Sequence, residues 1–457
     1  MVVASLPAFK AYDIRGKVPE ELDASLAESI GRAFAAVYGL KKVVVGRDIR
    51  ESGVELLAAL CAGLTAMGCE VLDLGLCGTE EIYHAAFSLE DSGVDGGVIV
   101  TASHNPADYN GMKFVVAGAR PVTGENGLKA MAEMITANRL PQPASRAGTV
   151  TPFDHKEFYV RHLLGYVDAM GLKPLKVVVN AGNGCAGPII DRLEKFLPFS
   201  FVKVHHQPDG TFPNGVPNPL LPEKRAETAR AVVAHGADLG VAWDGDFDRC
   251  FLWDERGEFI EGYYIVGLLA EEMLAAEPGA KILFDPRLTW NTIEQVRSHG
   301  GEPIMTRTGH AFIKERMRQE NAIYGGEMSA HHYFRRFGYC DSGMIPWLLV
   351  AARLSRGGER LSQLVADRMR AFPVSGEINS RVADAGQVIA RIEERYGDGL
   401  KDYTDGLSVS FAHYRFNIRK SNTEPLLRLN VETRGDAGLL GEKTEELLNL
   451  IRTHLVP

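Results

Sequence analysis

The sequence predicts an α/β protein made of three similar mixed α/β domains and a smaller C-terminal α+β domain. Short Val/Ile-rich runs alternate with amphipathic segments over most of the chain. The alternation recurs in cycles of about 100 residues, each with an apolar run feeding a polar loop, a period far longer than that of solenoid repeats. The C-terminal part instead strings several strands between two helical patterns. A length of 457 residues suits three or four domains at about 150 residues or fewer apiece.

In the first cycle Leu22, Leu26, Ile30, Phe34 and Val37 recur at helical spacing. KVVVG (42–46), VLDLG (71–75) and GVIVT (97–101) then read as buried strands, and no dinucleotide GxGxxG follows any of them. The second cycle holds LKVVVNAGNG (175–184), a helix over 223–235 and LGVAW (239–243). The third holds KILFD (281–285), EPIMT (302–306), a helix over 311–320 and AIYGG (322–326). Strands at 375–382, 406–411, 414–419 and 426–432, with helices over 383–396 and 439–455, make the final module. Periodicity breaks at 141–148, just after Cys250 and at 354–362. The expected domains are therefore 1–146, 147–250, 251–360 and 361–457.

Composition narrows the function classes. Hydrophobic residues at 45% and charged ones at 24% are those of an ordinary globular protein. A net charge of −9 argues against a general attraction to nucleic acid or to an anionic membrane. It leaves room for a small anionic substrate, because salt screens the background over about 10 Å and a few local cations then dominate. No signal-peptide pattern opens the chain and no apolar run reaches the roughly 18 residues of a membrane span. Six cysteines without a CxxC pair fit a reduced, cytoplasmic enzyme better than a disulfide scaffold or a zinc site.

Four loops carry chemistry. TASHNP (101–106) places Ser103 and His104 at the carboxyl end of a strand, where α/β folds bind ligands. Taken alone, most such tetrapeptides are only turn punctuation. DGDFDR (244–249) presents Asp244, Asp246 and Asp248 at alternate positions, and three adjacent carboxylates repel unless a hard cation such as Mg²⁺ or Ca²⁺ sits among them. An EF-hand would use Glu255 as its twelfth residue, but Arg249 stands where glycine is required and strands flank the loop. A haloacid-dehalogenase-type nucleophile would want Thr or Val where Asp248 stands. GEMSAHH (326–332) approaches a GxSxG elbow with Ala330 in the last glycine position, but no triad order follows it. It reads better as a binding loop, with Glu327 and Ser329 for neighbouring sugar hydroxyls and histidines that either move protons or are structural. RKSNTEP (419–425) offers a guanidinium, two hydroxyls and an amide, the inventory of a phosphate clamp or of a plain turn.

With FKAYDIRGK (9–17), TASHNPADYNGMK (101–113), DGDFDR (244–249), RTGHAFIKE (307–315), GEMSAHH and RKSNTEP in this order, the chain resembles the α-D-phosphohexomutase superfamily, and within it the bacterial phosphomannomutase type. The resemblance spans nearly the full length and implies four domains around a central cleft, with a hinged C-terminal domain; the hinge is expected near 353–362. It implies that Ser103 carries a phosphoryl group beside His104, that Ser103, Asp244, Asp246 and Asp248 hold Mg²⁺, and that Arg249, Lys113 and Arg15 steady the charge in transfer. Tyr12, Arg287, Glu327 and Ser329 are then substrate contacts, and Arg419, Ser421, Asn422 and Thr423 clamp the phosphate that does not react. His310 or His331 assists the proton transfer.

The implied reaction interconverts mannose 6-phosphate and mannose 1-phosphate through a hexose 1,6-bisphosphate, which is both intermediate and activator. Phosphorylated hexoses are the expected partners of a monomer or dimer. Ala330 stands where many relatives have Gly and Arg287 where some dual-specificity relatives have Lys. Because mannose and glucose phosphates differ only at the C2 hydroxyl and a pocket contacting the next two discriminates poorly, dual specificity stands as an alternative, as does a metal-dependent sugar phosphatase. A sugar-phosphate binding protein without catalysis fits poorly with an intact Ser103 and all three aspartates. Met328 argues against the glucosamine-phosphate branch, which usually has Gln there.

Overall fold

Val43, Val44 and Val45 are fully buried, as expected of a strand covered on both faces, and their strand, Lys42–Arg47, lies inside a seven-stranded sheet. The computed structural model describes residues 6–420 and 426–452. Lys42–Arg47 runs parallel to Glu70–Leu76 on one side and to Gly96–Val100 on the other. Helix Ala24–Tyr38 packs on helix Gly53–Ala66, and Ile30, Phe34, Leu60 and Leu64 bury against the sheet. Asp23 caps the first helix by accepting from the Leu26 N–H at 2.8 Å. Leu22, part of the helical spacing, therefore lies just outside the helix, though still buried.

The sheet is mixed for a geometric reason. Only eight residues join Gly96–Val100 to the next strand, Tyr109–Val116, too few for the crossover that a parallel neighbour needs. The chain returns antiparallel, with Ile99 opposite Lys113, and Ile14–Lys17 adds antiparallel at the edge. Ser103 thus sits in a short return loop. Tyr109–Val116 is missing from the sequence-based strand list because its Asn-Gly start reads as a turn.

The second sheet repeats the device. Lys176–Asn180 lies parallel to both Leu239–Trp243 and Ser200–Val204. Cys250–Trp253 folds back antiparallel on Leu239–Trp243, from Trp243 opposite Cys250 to Gly240 opposite Trp253. The aspartate loop is the turn of that hairpin. The seam expected just after Cys250 thus falls inside a strand paired with its predecessor.

Lys281–Phe284 lies parallel to Glu302–Met305 and to Tyr324–Gly326, and helix His310–Glu320 follows the second of these strands in the chain. In the C-terminal module the antiparallel order is Ile378–Ser380, Leu427–Thr433, Tyr414–Lys420, Leu407–Ser410, Leu400–Asp402. Helices Ala385–Arg395 and Ala437–Arg452 share its core through Val388, Ile392, Leu447 and Ile451.

Helix Met344–Gly357 runs into the expected 354–362 seam, and helix Leu361–Ala371 begins before it ends. The chain divides into two units, Met1–Phe259 with Tyr333–Gly358, and Ile260–His332 with Glu359–Pro457. Among the described residues no helix is long and apolar enough to cross a membrane, and all six cysteines are free and buried.

Candidate active site

In the first unit the return loop presents Ser103 in the left-handed region, at φ +51°. For a non-glycine residue this backbone costs free energy that surrounding contacts must offset. Arg50 supplies them. Its guanidinium donates to four carbonyls of the loop, those of Ser103 at 3.0 Å, Asn105 at 2.6 Å, Pro106 at 2.6 Å and Tyr109 at 2.7 Å. Asp48, paired with Arg50, accepts from the Thr101 hydroxyl at 2.6 Å, and that hydroxyl accepts from the Ser103 N–H at 2.9 Å. Sequence reading missed Arg50 and Asp48, whose only signal is the polar run RDIR after a buried strand.

The Ser103 hydroxyl donates to Asp244 Oδ2 at 2.8 Å and lies 3.0 Å from His104 Nδ1. Gly245 makes the approach possible, since a Cβ there would stand 2.7 Å from the Ser103 carbonyl oxygen. Arg249 Nε lies 3.6 Å from Asp244, and Arg15 donates to Asn105 Oδ1 at 2.7 Å while pairing with Asp13 at 2.6 Å. Lys113 Nζ bridges Asp246 and Asp248 at 2.7 and 2.6 Å. Thr79, at the start of helix Thr79–Ser88, donates its hydroxyl to Asp246 at 2.5 Å. Tyr12 is half-buried three positions before Arg15.

Asp244, Asp246 and Asp248 are buried, each offering an oxygen within 4.8 Å of the others. Burial, with Asp248 and Asp246 beside it, pushes the Asp244 carboxyl up to about 7. Oδ1 of Asp244 and of Asp246 is buried without a hydrogen-bond partner among the described residues. Open carboxylate oxygens converging in a like-charged cluster fit a hard divalent cation.

The second unit gathers a different set. Arg287, 2% exposed, grips Asp285 through Nε at 2.9 Å and Nη2 at 2.8 Å, and the same Nη2 lies 3.2 Å from the Ser329 hydroxyl and 3.4 Å from Glu327. Asp285 also accepts from the Met328 N–H at 2.9 Å, which ties the 285–287 turn to the 327–331 loop. Glu327 accepts from the Gly309 N–H at 3.1 Å and lies 3.2 Å from His331 Nδ1. His310, half-buried, begins the helix that follows Gly309. Arg415 holds the turn from below by donating to the carbonyls of Pro286 and Arg287 at 2.8 and 3.1 Å.

Arg419 is 4% exposed and lies 3.5 Å from Glu377. Ser421, Asn422 and Thr423 lie outside the described residues. Asp285, Glu377 and Arg415 are further site residues that no local motif announces. Ser103, His104, Lys113, the three aspartates and Arg249 are therefore brought together in one unit, and Arg287, Glu327, Ser329 and His331 in the other.

Comparison with known proteins matches the chain over nearly its whole length. The models of phosphoglucomutase/phosphomannomutase alpha/beta/alpha domains I, II and III match residues 7–140, 157–257 and 261–372, and that of the C-terminal domain matches 377–449. The chain is 58% identical over 454 residues to the phosphohexose mutases of Xanthomonas campestris pv. campestris, with 98% of this chain and 100% of the relative covered. It is 57% identical over 457 residues to a phosphomannomutase of Salmonella montevideo, again covering 98% and 100%. The crystal structure of a phosphoglucomutase/phosphomannomutase family protein from Burkholderia thailandensis superposes with a TM-score of 0.87 at 34% identity, covering 99% of both chains. Likeness of this extent, running through all four domains, places the chain in the α-D-phosphohexomutase superfamily alongside the bacterial phosphomannomutases, as an intramolecular phosphotransferase.

Proposed function

We propose that the chain interconverts mannose 6-phosphate and mannose 1-phosphate by passing a phosphoryl group on and off Ser103. The observation that carries this reading is the Ser103 hydroxyl, buried, held at φ +51° and within 2.8 Å of Asp244 in a cluster of three aspartates. In the first transfer a hydroxyl of the hexose monophosphate attacks the phosphorus of phosphoserine 103. The bond to Oγ breaks, and the hydroxyl proton passes to a neighbouring base, for which His331 and His310 are the candidates. In the second, Oγ attacks the other phosphate of the hexose 1,6-bisphosphate, the bond from that phosphorus to the sugar oxygen breaks, and this oxygen takes the proton back from the base as the isomeric monophosphate leaves. Asp244, Asp246 and Asp248 with the serine phosphate would hold Mg²⁺, which when bound supplies positive charge against the phosphoryl oxygens.

Arg15 and Arg249 are assigned to the transferring group, Glu327 and Ser329 with Arg287 to the sugar hydroxyls, and Arg419 with the residues after it to the second phosphate. The Xanthomonas relative is named for phosphohexose mutases in general and the Burkholderia structure for both mutases. These names favour a second reading, in which glucose phosphates are also substrates. Mannose and glucose differ at one hydroxyl, and a pocket that reads its neighbours discriminates weakly.

Phosphorus NMR tests both. Wild-type protein with Mg²⁺ and a trace of glucose 1,6-bisphosphate is expected to convert mannose 1-phosphate to its 6-phosphate, with Ser103→Ala slower by roughly 1,000-fold or more. Comparable turnover of glucose 1-phosphate supports the dual reading. Orthophosphate accumulating without 6-phosphate would make the protein a phosphatase.

A further inference from the structure

In the second unit one carboxylate is shared by three guanidinium groups. Glu377 Oε2 lies 3.4 Å from Arg287 and 3.5 Å from Arg419, and Oε1 lies 3.2 Å from Arg428. The carboxylate is 6% exposed, and the side chains of Arg287, Arg419 and Arg428 are 2%, 5% and 20% exposed. Cations so close, with so little water between them, repel strongly without a counter-charge. Arg287 has its own in Asp285, whereas the ion-pair partner of Arg419 among the described residues is Glu377. Burial alone would raise the Glu377 carboxyl, but Arg287, Arg428 and Arg419 outweigh it and hold it below the usual range, so it stays ionised.

Two details separate this arrangement from a plain structural ion pair. The distances of 3.2–3.5 Å exceed the roughly 2.7–2.9 Å of saturated charge-assisted bonds, so Glu377 draws the arginines together by its charge rather than by close hydrogen bonds. Arg419 Nε is buried with no hydrogen-bond partner among the described residues, an open donor that is costly to keep unless a ligand uses it.

We infer that Glu377 is a positioning residue that holds Arg419 and Arg428 as a preformed set for the phosphate that is not being transferred, and ties them to Arg287 beside the sugar-binding loop. This rests on the reading of the chain as a phosphohexose mutase and adds the residue that orders its phosphate clamp. The sign of its effect is diagnostic. A carboxylate that merely repelled the phosphate dianion would weaken binding, and its removal would lower KM. A carboxylate that orders three arginines does the opposite.

The test is steady-state kinetics of the full chain with Mg²⁺ and mannose 1-phosphate, with inorganic phosphate as the competing anion. Glu377→Gln is expected to raise KM about tenfold, the loss of one charge-assisted contact, to leave kcat within about twofold, and to raise the inhibition constant of phosphate in step. Glu377→Asp keeps the charge one methylene shorter and is expected to fall between. A lowered or unchanged KM in Glu377→Gln overturns the inference, as does a fall in kcat alone. If circular dichroism shows that Glu377→Gln does not fold, Glu377→Asp decides: a raised KM with kcat retained supports the inference and an unchanged KM overturns it. A wild-type chain without mutase turnover would overturn the mutase reading and the inference together, and is seen before any substitution is made.

Discussion

Lys113 shows how one side chain can serve a loop far from it in sequence. It lies on the strand that returns from Ser103, yet its ammonium bridges Asp246 and Asp248. Burial alone would lower its pKa, but the two carboxylates outweigh that and raise it. A raised lysine stabilises the fold fully below its ordinary value near 10.4, and the contribution fades only as pH climbs through the higher folded value. At neutral pH the whole contribution is present. Replacing Lys113 by Met leaves buried acids uncompensated and is expected to cost about 3 kcal/mol, read as a lower urea midpoint at pH 7.5 in EDTA. Excess Mg²⁺ should recover much of the loss, because the cation supplies the missing charge. An equal loss with and without Mg²⁺ would show that the aspartates do not bind the ion.

At the scale of elements, helix Thr79–Ser88 links that cluster to a group of buried histidines. Its first residue bonds Asp246, and on the same helix His84 Nδ1 lies 2.7 Å from Nε2 of His155, which precedes helix Lys156–Leu164. The His162 ring, on the latter helix, is 4.8 Å from that of His84. Burial and the neighbouring histidines push His84 down to about 2. Burial, with Lys156 and Arg336 respectively, pushes His155 and His162 to about 4. Folded-state values below the unfolded 6.5 or so mean that only the unfolded chain takes up protons as pH falls past that point. Stability is therefore full above about pH 6.5 and is lost toward pH 4, by up to about 1.4 kcal/mol per pH unit for each histidine. Denaturant midpoints measured from pH 7 to 4.5 should fall steeply, and His84→Phe should flatten that slope by one histidine's share. An unchanged slope would mean that carboxylates elsewhere govern acid unfolding.

For the molecule as a whole, legibility in the sequence followed the length of the chemistry. Ser103 with His104, the alternate aspartates, and Glu327 with Ser329 are contiguous, so their loops announce themselves. Arg50, Asp285 and Glu377 act on partners brought near by folding: Arg50 stands 53 positions before Ser103, and nothing local distinguishes it from a surface arginine. The buried parallel strands were legible from valine runs, whereas the antiparallel returns after residues 100 and 243 follow from loops too short for a crossover. Ala330 was visible as an odd residue in its motif, but its φ of +71° was not.

The same distribution sets an expectation about division of labour. Ser103, proposed as the nucleophile, and the three aspartates proposed to hold the cation lie in one unit, while Arg287, Glu327 and the buried Arg419 lie in the other. Binding of the anion should therefore survive loss of the nucleophile, and chemistry should outlast loss of the clamp. Ser103→Ala, though inactive, is expected to bind mannose 1-phosphate within about threefold of wild type in calorimetric titration. Arg419→Ala is expected to raise KM by roughly 10- to 100-fold, since a charged hydrogen bond contributes about 1.5–3 kcal/mol, with a smaller change in kcat. Because the net charge is −9, attraction of an anionic substrate is expected to depend on this local patch, and added salt should raise KM in wild type more than in Arg419→Ala. Loss of binding in Ser103→Ala, or a fall confined to kcat in Arg419→Ala, would mean that the two units do not divide the work in this way.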